Sequence, residues 1–356
     1  MSSETASIEV ESLSKRYANL VAVQNVSFRV ERGQVVGFLG PNGAGKSTTM
    51  RILTGIIPAT SGTARICGMP VTTHAREIKP RLGYMPETNP LPDEMRVDEY
   101  LRFRARLKEV PAKERKERVD WAMQTWDLDR KARRKIIGNL SKGFRQRVGI
   151  ADAILGKPDV IIMDEPTIGL DPHQILAIRD LINSLRGQMT VVISSHILAE
   201  VEMCCDRVII INRGYMVAEG TLPELRQEFI PKRTYELRAT DDINPLLSTL
   251  KQVDAKLTLG DTIAEPEYGY QRYHLQTPAA GDQTPKFLKA LFEARQSVSG
   301  LQLCQPCLED IFLAATRRTW EEETSLGGSE NGHPPAEEDE APTATNSTDV
   351  KEAQQT

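Results

Sequence analysis

Long hydrophobic runs are missing from this 356-residue sequence. None of its apolar stretches approaches the 18 or so residues that a membrane-spanning helix requires. Residues 1–11 are polar and slightly acidic, so we expect no signal peptide. The five cysteines are few and unevenly spaced, which is not the pattern of a disulfide framework. These absences favour a reduced, cytoplasmic chain.

A strong charge of one sign is also missing from most of the chain. The net charge is −4, but residues 321–356 contain ten acidic residues and one basic residue, so they carry −9 and residues 1–320 carry +5. The segment 321–356 has no hydrophobic periodicity, and we predict a disordered acidic tail. The basic stretch 102–118 is interleaved with Glu, and aromatic residues make up only 5% of the chain, so we expect no nucleic-acid partner.

Short apolar runs with turn residues around them indicate an α/β fold. The runs 35–39, 160–163 and 191–193 are typical of buried strands in a parallel sheet. An amphipathic helix is predicted between the last two, beginning after Asp171 and ending at Gly187.

The chain is predicted to consist of two domains and the acidic tail, and the first domain contains two further elements. Residues 8–30 alternate as in a small antiparallel sheet, and residues of about 91–150 predict a helical insertion. The first domain then spans residues 1–220, and a small accessory α+β domain spans 221–320, before the tail.

A glycine-rich segment follows the predicted strand 35–39. It fits the pattern G-x-x-x-x-G-K-[ST] and consists of Gly40, Pro41, Asn42, Gly43, Ala44, Gly45, Lys46, Ser47 and Thr48. A strand before it and a helix after it argue against an ordinary Gly-rich turn. Backbone amides and the helix N-terminus would surround phosphate oxygens, with Lys46 on the β- and γ-phosphates and Ser47 on Mg²⁺. The segment predicts a P-loop NTPase that binds ATP and Mg²⁺.

Two carboxylates follow the predicted strand 160–163. Carboxyl ends of parallel strands meet at the crevice where α/β sheets bind ligands. We therefore expect Asp164 to hold Mg²⁺ and Glu165 to polarise the water that attacks the γ-phosphate.

A third motif carries a resemblance to a known family. Ser141-Lys142-Gly143 follows Leu140 and lies 23 residues before the acid pair, as does the signature motif of the ATP-binding subunits of ABC transporters. Over residues 7–220 the chain resembles that family at further positions. Tyr17 resembles its adenine-stacking aromatic residue, Asp171 lies in its subunit-crossing loop, and His196 resembles its switch histidine on the γ-phosphate.

The resemblance implies a mechanism and partners. It implies a Mg·ATPase that forms a head-to-tail homodimer, with each ATP between one phosphate loop and the partner's signature motif. The catalytic residues would be Lys46, Glu165 and His196. A membrane permease on a separate chain would be driven from the inner face of the cell membrane.

Departures from the family pattern narrow the assignment. Lys142 stands where Gly is usual, and Phe144 where Gln is usual. Glu87 stands where the family presents a Gln to Mg²⁺ and to the permease; it can ligate the metal but lacks amide donors. Together with the ending 306–312, these variants resemble the ABC-2-type exporters of the drug-resistance and gliding-motility type.

Other classes remain as alternatives. A non-transport ABC ATPase of the DNA-repair or translation type would show long heptad arms or two ATPase modules, and the sequence shows neither. These motifs do not distinguish an importer subunit from an exporter subunit. The signature and switch residues argue against a plain signalling NTPase. The sequence does not identify the cargo.

Overall fold

The structure is a computed structural model that describes residues 6–239, 242–265, 270–279 and 281–325. The described residues up to Thr319 form one compact unit. Of the predicted acidic tail, Glu321–Ser325 are helical rather than disordered, because they continue the last helix and begin with three Glu, a residue of good helix propensity. The rest of the tail, 326–356, lies outside the described residues.

An antiparallel sheet forms from the start of the chain, as predicted. Its strands run in the order β2-β1-β4-β5. They are β1 (Ile8–Tyr17), β2 (Leu20–Val30), β4 (Ser61–Ile66) and β5 (Met69–Pro70). Val26, Phe28 and Val30 alternate inward along β2 and are buried, which explains the alternation in the sequence.

A six-stranded sheet forms the centre of the first unit, in the order β10-β9-β3-β8-β7-β6. Its strands are β3 (Val35–Leu39), β6 (Leu82–Met85), β7 (Val160–Asp164), β8 (Thr190–Ser195), β9 (Arg207–Asn212) and β10 (Tyr215–Gly220). Every pairing is parallel except that of β10 with β9. Alternate residues of β7 and β8 face two separate hydrophobic cores, so both strands are continuously apolar.

Helices pack against this sheet and are joined to its strands by loops. They include α1 (Lys46–Leu53), α2 (Ala75–Ile78), α7 (Pro172–Leu185), α8 (Leu198–Cys204) and α9 (Leu222–Phe229). The Asp171 carboxylate accepts the backbone N–H of Gln174 at 2.9 Å and caps α7, as predicted. Gly187, with φ +76°, follows the C-terminus of α7.

The predicted insertion is helical, with different bounds. Its helices are α3 (Val97–Leu107), α4 (Arg115–Thr125), α5 (Leu128–Lys131) and α6 (Lys142–Ile154). Residues 91–96 are not helical because Pro90 and Pro92 disfavour a helix there, and Pro111 separates α3 from α4.

A third sheet, in the order β12-β13-β11-β14, lies in the predicted accessory domain. This region contains β11 (Arg233–Ala239), α10 (Ile243–Val253), β12 (Thr258–Glu265), β13 (Tyr270–Thr277), α11 (Thr284–Glu293), β14 (Gly300–Cys304) and α12 (Leu308–Ser325). Its own core contains Tyr235 edge-on to Phe287, with ring centroids 5.2 Å apart. Leu308 and Ile311 of α12 instead pack with Val208 and Leu225. The boundary at residue 220 stays a prediction.

The described residues include no helix that combines the length and the apolar character needed to cross a bilayer.

Candidate functional site

The glycine-rich segment forms a tight loop between β3 and α1. Gly43 and Gly45 have φ of +79° and +107°. A β-carbon at residue 45 would also collide with the Ala22 carbonyl oxygen, so only glycine fits there. The loop ends at the N-terminus of α1, where free backbone N–H groups and the helix dipole favour an anion.

The Lys46 side chain turns back over this loop and is buried. Its Nζ donates to the carbonyl oxygens of Gly40 at 2.7 Å and Pro41 at 3.2 Å. The same Nζ lies 3.4 Å from Oε1 of Glu165, with both side chains almost fully buried. One ammonium therefore joins the phosphate loop to the acid pair.

Asp164 ends β7 directly below the loop. Its Oδ1 accepts the Ser47 hydroxyl at 3.2 Å and also accepts the Ser194 hydroxyl. The carboxylate is 1% exposed, and among the described residues it has no cationic partner. Its charge adds to burial in raising the pKa of Tyr84 to about 12. A buried carboxylate without a cation beside two hydroxyl oxygens fits a hard cation that prefers oxygen ligands, such as Mg²⁺.

Glu165 is fixed between two side chains. Its Oε2 lies 2.7 Å from Nδ1 of His196, opposite the contact of Oε1 with Lys46. Its backbone N–H donates to the Ser194 hydroxyl at 3.1 Å, and its φ is +50°, which is unusual for a residue with a β-carbon. Unusual backbone conformations of this kind persist where surrounding contacts enforce them. Glu165 as a whole is only 5% exposed.

These groups surround one open cavity of about 500 Å³. The predicted residues that line it are Tyr17, Pro41, Asn42, Gly43, Gly45, Lys46, Ser47, Thr48, Glu87, Glu165 and His196. Leu20, Val21 and Ala22 add an apolar wall beside Tyr17. Gly40 and Ala44 do not line the cavity, and Asp164 lies behind Ser47.

Ser141 and Gly143 of the signature lie outside this cavity, as does Asp171 at the end of the loop before α7. The Ser141 hydroxyl accepts the Phe144 N–H at 3.5 Å and caps α6. The Gln174 side chain occupies the space that a β-carbon of Gly143 would need. Since Asp171 caps the helix that carries Gln174, Ser141, Gly143 and Asp171 belong to one packed group.

Three side chains that support the site were not predicted. Ser194 joins Asp164 to the backbone of Glu165, and Gln146 donates to the Pro166 carbonyl oxygen at 2.9 Å. Glu200 accepts the Thr167 hydroxyl, and burial raises its pKa. The position of Ser194 at the carboxyl end of a parallel strand is a signal that could have been used. No local signal marks Gln146 or Glu200.

Comparisons with known proteins agree on one family. The family model described as ABC transporter matches residues 23–168. Nod factor export ATP-binding protein I of Ralstonia nicotianae is 36% identical over 320 residues, which is 88% of this chain and 95% of that protein.

Solved structures agree with this relative. One of the ATP binding subunit of an ABC transporter is 33% identical with a TM-score of 0.58, covering 62% of this chain and 92% of that one. Another, cbiO1 from Clostridium perfringens, part of the ABC transporter complex cbiONQ, is 28% identical with a TM-score of 0.58, covering 63% and 92%. The α/β P-loop fold is thereby confirmed, and the chain belongs to the family of ABC transporter ATP-binding proteins, which bind and hydrolyse ATP.

Proposed function

We propose that this chain is the Mg²⁺-dependent ATPase subunit of an ABC exporter and that it acts as a homodimer on a separate membrane permease. The observation that carries the proposal is the position of Glu165, held between Lys46 and His196 at the edge of a cavity that the phosphate loop lines. A buried carboxylate beside an anion-binding loop can take a proton from water close to a bound phosphate.

Different residues of the cavity bind different parts of the nucleotide in this proposal. The backbone amides of Asn42, Gly43 and residues 45–48 and the Lys46 ammonium bind the phosphates. Tyr17 stacks on the adenine, next to the apolar wall of residues 20–22. Ser47, Asp164 and Glu87 would hold Mg²⁺, which would neutralise charge that develops on the phosphates.

Glu165 and His196 act on the attacking water and on the γ-phosphate. Glu165 accepts a proton from the water, while His196, which lines the cavity, orients the carboxylate through its 2.7 Å contact and would contact the γ-phosphate. Lys46 stays on the phosphates, and its charge stabilises the transition state.

A second copy completes the site in this proposal. Ser141 and Gly143 begin α6, whose free N-terminal amides form a second anion-binding group outside the cavity of the same chain. A head-to-tail homodimer would bring this group of one subunit to the ATP of its partner, with Asp171 in the loop between them. Two identical copies then form two complete sites.

Export through a separate permease rests on the relatives. The relative from Ralstonia nicotianae is named for Nod factor export, and its alignment with 88% of this chain extends well beyond residue 220. The solved cbiO1 is part of a transporter complex. We propose a cytoplasmic chain that binds the inner face of the membrane through its permease, with the accessory domain 221–320 and no nucleic-acid partner.

Glu165→Gln tests the ATPase mechanism. Gln keeps the shape of Glu165 but cannot accept a proton, so we expect turnover to fall by about a hundredfold or more, with ATP still bound and the protein eluting as a dimer. Glu219→Gln, on the edge strand β10, is the matched control and should hydrolyse ATP normally. Unchanged turnover in Glu165→Gln would remove Glu165 as the base.

Purification from membranes tests the partner. The Glu165→Gln protein, held in its ATP-bound form, should copurify with an integral membrane protein that the wild type releases after hydrolysis. Recovery of ribosomal particles or DNA without a membrane protein would instead support a non-transport ABC ATPase.

A further inference from the structure

Two adjacent cysteines at the end of α8 direct their thiols toward each other. Sγ of Cys204 lies 3.8 Å from Sγ of Cys205, and it also donates to the Glu200 carbonyl oxygen at 3.2 Å. Successive side chains on a helix point about 100° apart, so such pairs do not normally meet. Here Cys205 has left the helix, with φ −99° and ψ 143°, and its sulfur turns back beside Cys204.

Cys204 lies at the wall of an apolar cleft between α7 and α8, and Cys205 lies directly behind it. The cleft measures about 120 Å³ and is lined mainly by aliphatic side chains, with Cys204 among them. Leu176 and Met203 line it and are also exposed, at 43% and 61%, so the cleft is open to solvent. A cavity of about 150 Å³ with similar walls binds benzene. The cleft therefore has the size and chemistry for one phenyl ring beside the Cys204 thiol.

The surroundings of the pair make the Cys204 thiol the easier of the two to deprotonate. The hydrogen bond from Cys205 lowers the pKa of Cys204, burial and Glu200 oppose this, and Arg186 and Arg179 reinforce it. Arg186 also donates to the Cys204 carbonyl oxygen at 2.7 Å. The Cys205 thiol keeps its proton, since the same hydrogen bond and its burial raise its pKa. Cys204 is therefore the thiol that reacts first, with the Cys205 thiol 3.8 Å away.

We propose that Cys204 and Cys205 form a capture site for trivalent arsenicals that carry a small apolar group. The gap of 3.8 Å can be closed by two sulfur bonds of about 2.3 Å, a length typical of a metal–thiolate bond, that meet at one atom. Among the described residues no cluster of three or more His, Cys, Asp or Glu could hold a metal ion. A trivalent arsenical needs only two sulfurs, because its third bond is to its own carbon.

The capture step balances without an oxidant. For an arsenical R–As=O, each thiol loses its proton, two As–S bonds replace the two bonds between arsenic and oxygen, and the oxygen leaves with both protons as water. Arsenic stays trivalent and the sulfurs keep their oxidation state. Cys204 attacks first, and Cys205 then closes the ring.

Titration of the full-length protein with phenylarsine oxide tests the site. The reductant is a phosphine, so that no added thiol competes, and the adduct is counted by intact mass. We expect one equivalent on the wild type, released by an added small dithiol. Cys204→Ser and Cys205→Ser should each weaken capture by roughly a hundredfold, because the second bond is intramolecular.

Two controls separate this site from others. Cys304→Ser/Cys307→Ser removes the other closely spaced pair of cysteines and should still bind one equivalent at full strength. Leu176→Trp keeps both thiols but fills the cleft, and should weaken capture of phenylarsine oxide without lowering the thermal stability of the protein. Loss of the adduct in Cys304→Ser/Cys307→Ser, or its full retention in Cys204→Ser/Cys205→Ser, would overturn the proposal.

Discussion

The ammonium of Lys142 lies where a β-carbon of Gly169 would be. Lys142 is the first residue of α6, in the signature motif, and Gly169 lies in the loop that leads from Glu165 to α7. Gly169 has φ +70°, a conformation that glycine adopts without strain. The signature residue that departs from the family pattern thus packs on the loop that follows the proposed base.

Gly169→Ala and Lys142→Ala should therefore be coupled. Alanine at position 169 meets an unfavourable φ, which costs about 1 kcal/mol, and also displaces the Lys142 side chain. We expect Gly169→Ala to lower the unfolding free energy more in the wild type than in Lys142→Ala. A double-mutant cycle measured by denaturant unfolding checks this, and strict additivity would show that the contact contributes nothing.

ATP turnover of the Lys142→Ala variant tests whether this contact also matters for catalysis. If Lys142 positions the loop behind Glu165, Lys142→Ala lowers kcat more than it changes KM. Lys157→Ala, a lysine that lies over the Trp121 ring instead, is the control for loss of a lysine.

His196→Ala should reduce catalysis while leaving nucleotide binding intact. His196 contacts Glu165 at 2.7 Å, whereas Lys46 holds the phosphate loop without it. We expect kcat to fall by about a hundredfold and KM for ATP to change little. His173→Ala, at an exposed position of α7, should behave like the wild type. A rise in KM with unchanged kcat would assign His196 to binding instead.

Glu87→Gln tests the metal role of the residue that replaces the family's usual Gln. The Glu87 side chain lines the cavity with Ser47, and a carboxylate attracts Mg²⁺ more strongly than an amide does. The variant should need a several-fold higher Mg²⁺ concentration for half-maximal ATPase activity, with Glu94→Gln as the control. The same Mg²⁺ dependence in both variants would exclude Glu87 from the metal site.

Glu200→Gln should gain stability relative to the wild type as the pH rises. Burial raises the pKa of Glu200 above its ordinary value of 4.5, so the folded protein favours the neutral carboxyl. The wild type then loses stability as the pH climbs from 4.5 to the raised pKa, whereas Gln stays neutral and can still accept from Thr167. Thermal unfolding from pH 4 to 8 measures this, and a difference that does not grow over the window contradicts the burial of Glu200.

Much of the fold could be predicted because its signals are local. The run 35–39 and the run that ends at Asp164 are apolar on both faces, and the Asp171 cap marks the start of α7 in the sequence itself. The strand β6 was not predicted because its four residues include Gly83 and the half-buried Tyr84, so it shows neither alternation nor a long apolar run.

The site divides in the same way. The phosphate loop and the acid pair are contiguous in sequence, so a motif can reveal them. The contacts that hold them in place join distant residues, as between Ser194 and Asp164, 30 residues apart, or Thr167 and Glu200, 33 apart. Such contacts depend on which strands become neighbours, and no periodicity within one segment records that.

Because Lys46 forms an ion pair with Glu165, a bound phosphate and the Glu165 carboxylate compete for the same ammonium. A phosphate that enters the loop would compete with Glu165 for Lys46, and the carboxylate would then keep only its contact with His196. Breaking the ion pair would therefore reduce the net free energy of nucleotide binding and would free Glu165 to act as the general base. Without a nucleotide, Lys46 holds Glu165 in a salt bridge, and a carboxylate paired in this way is a weaker base.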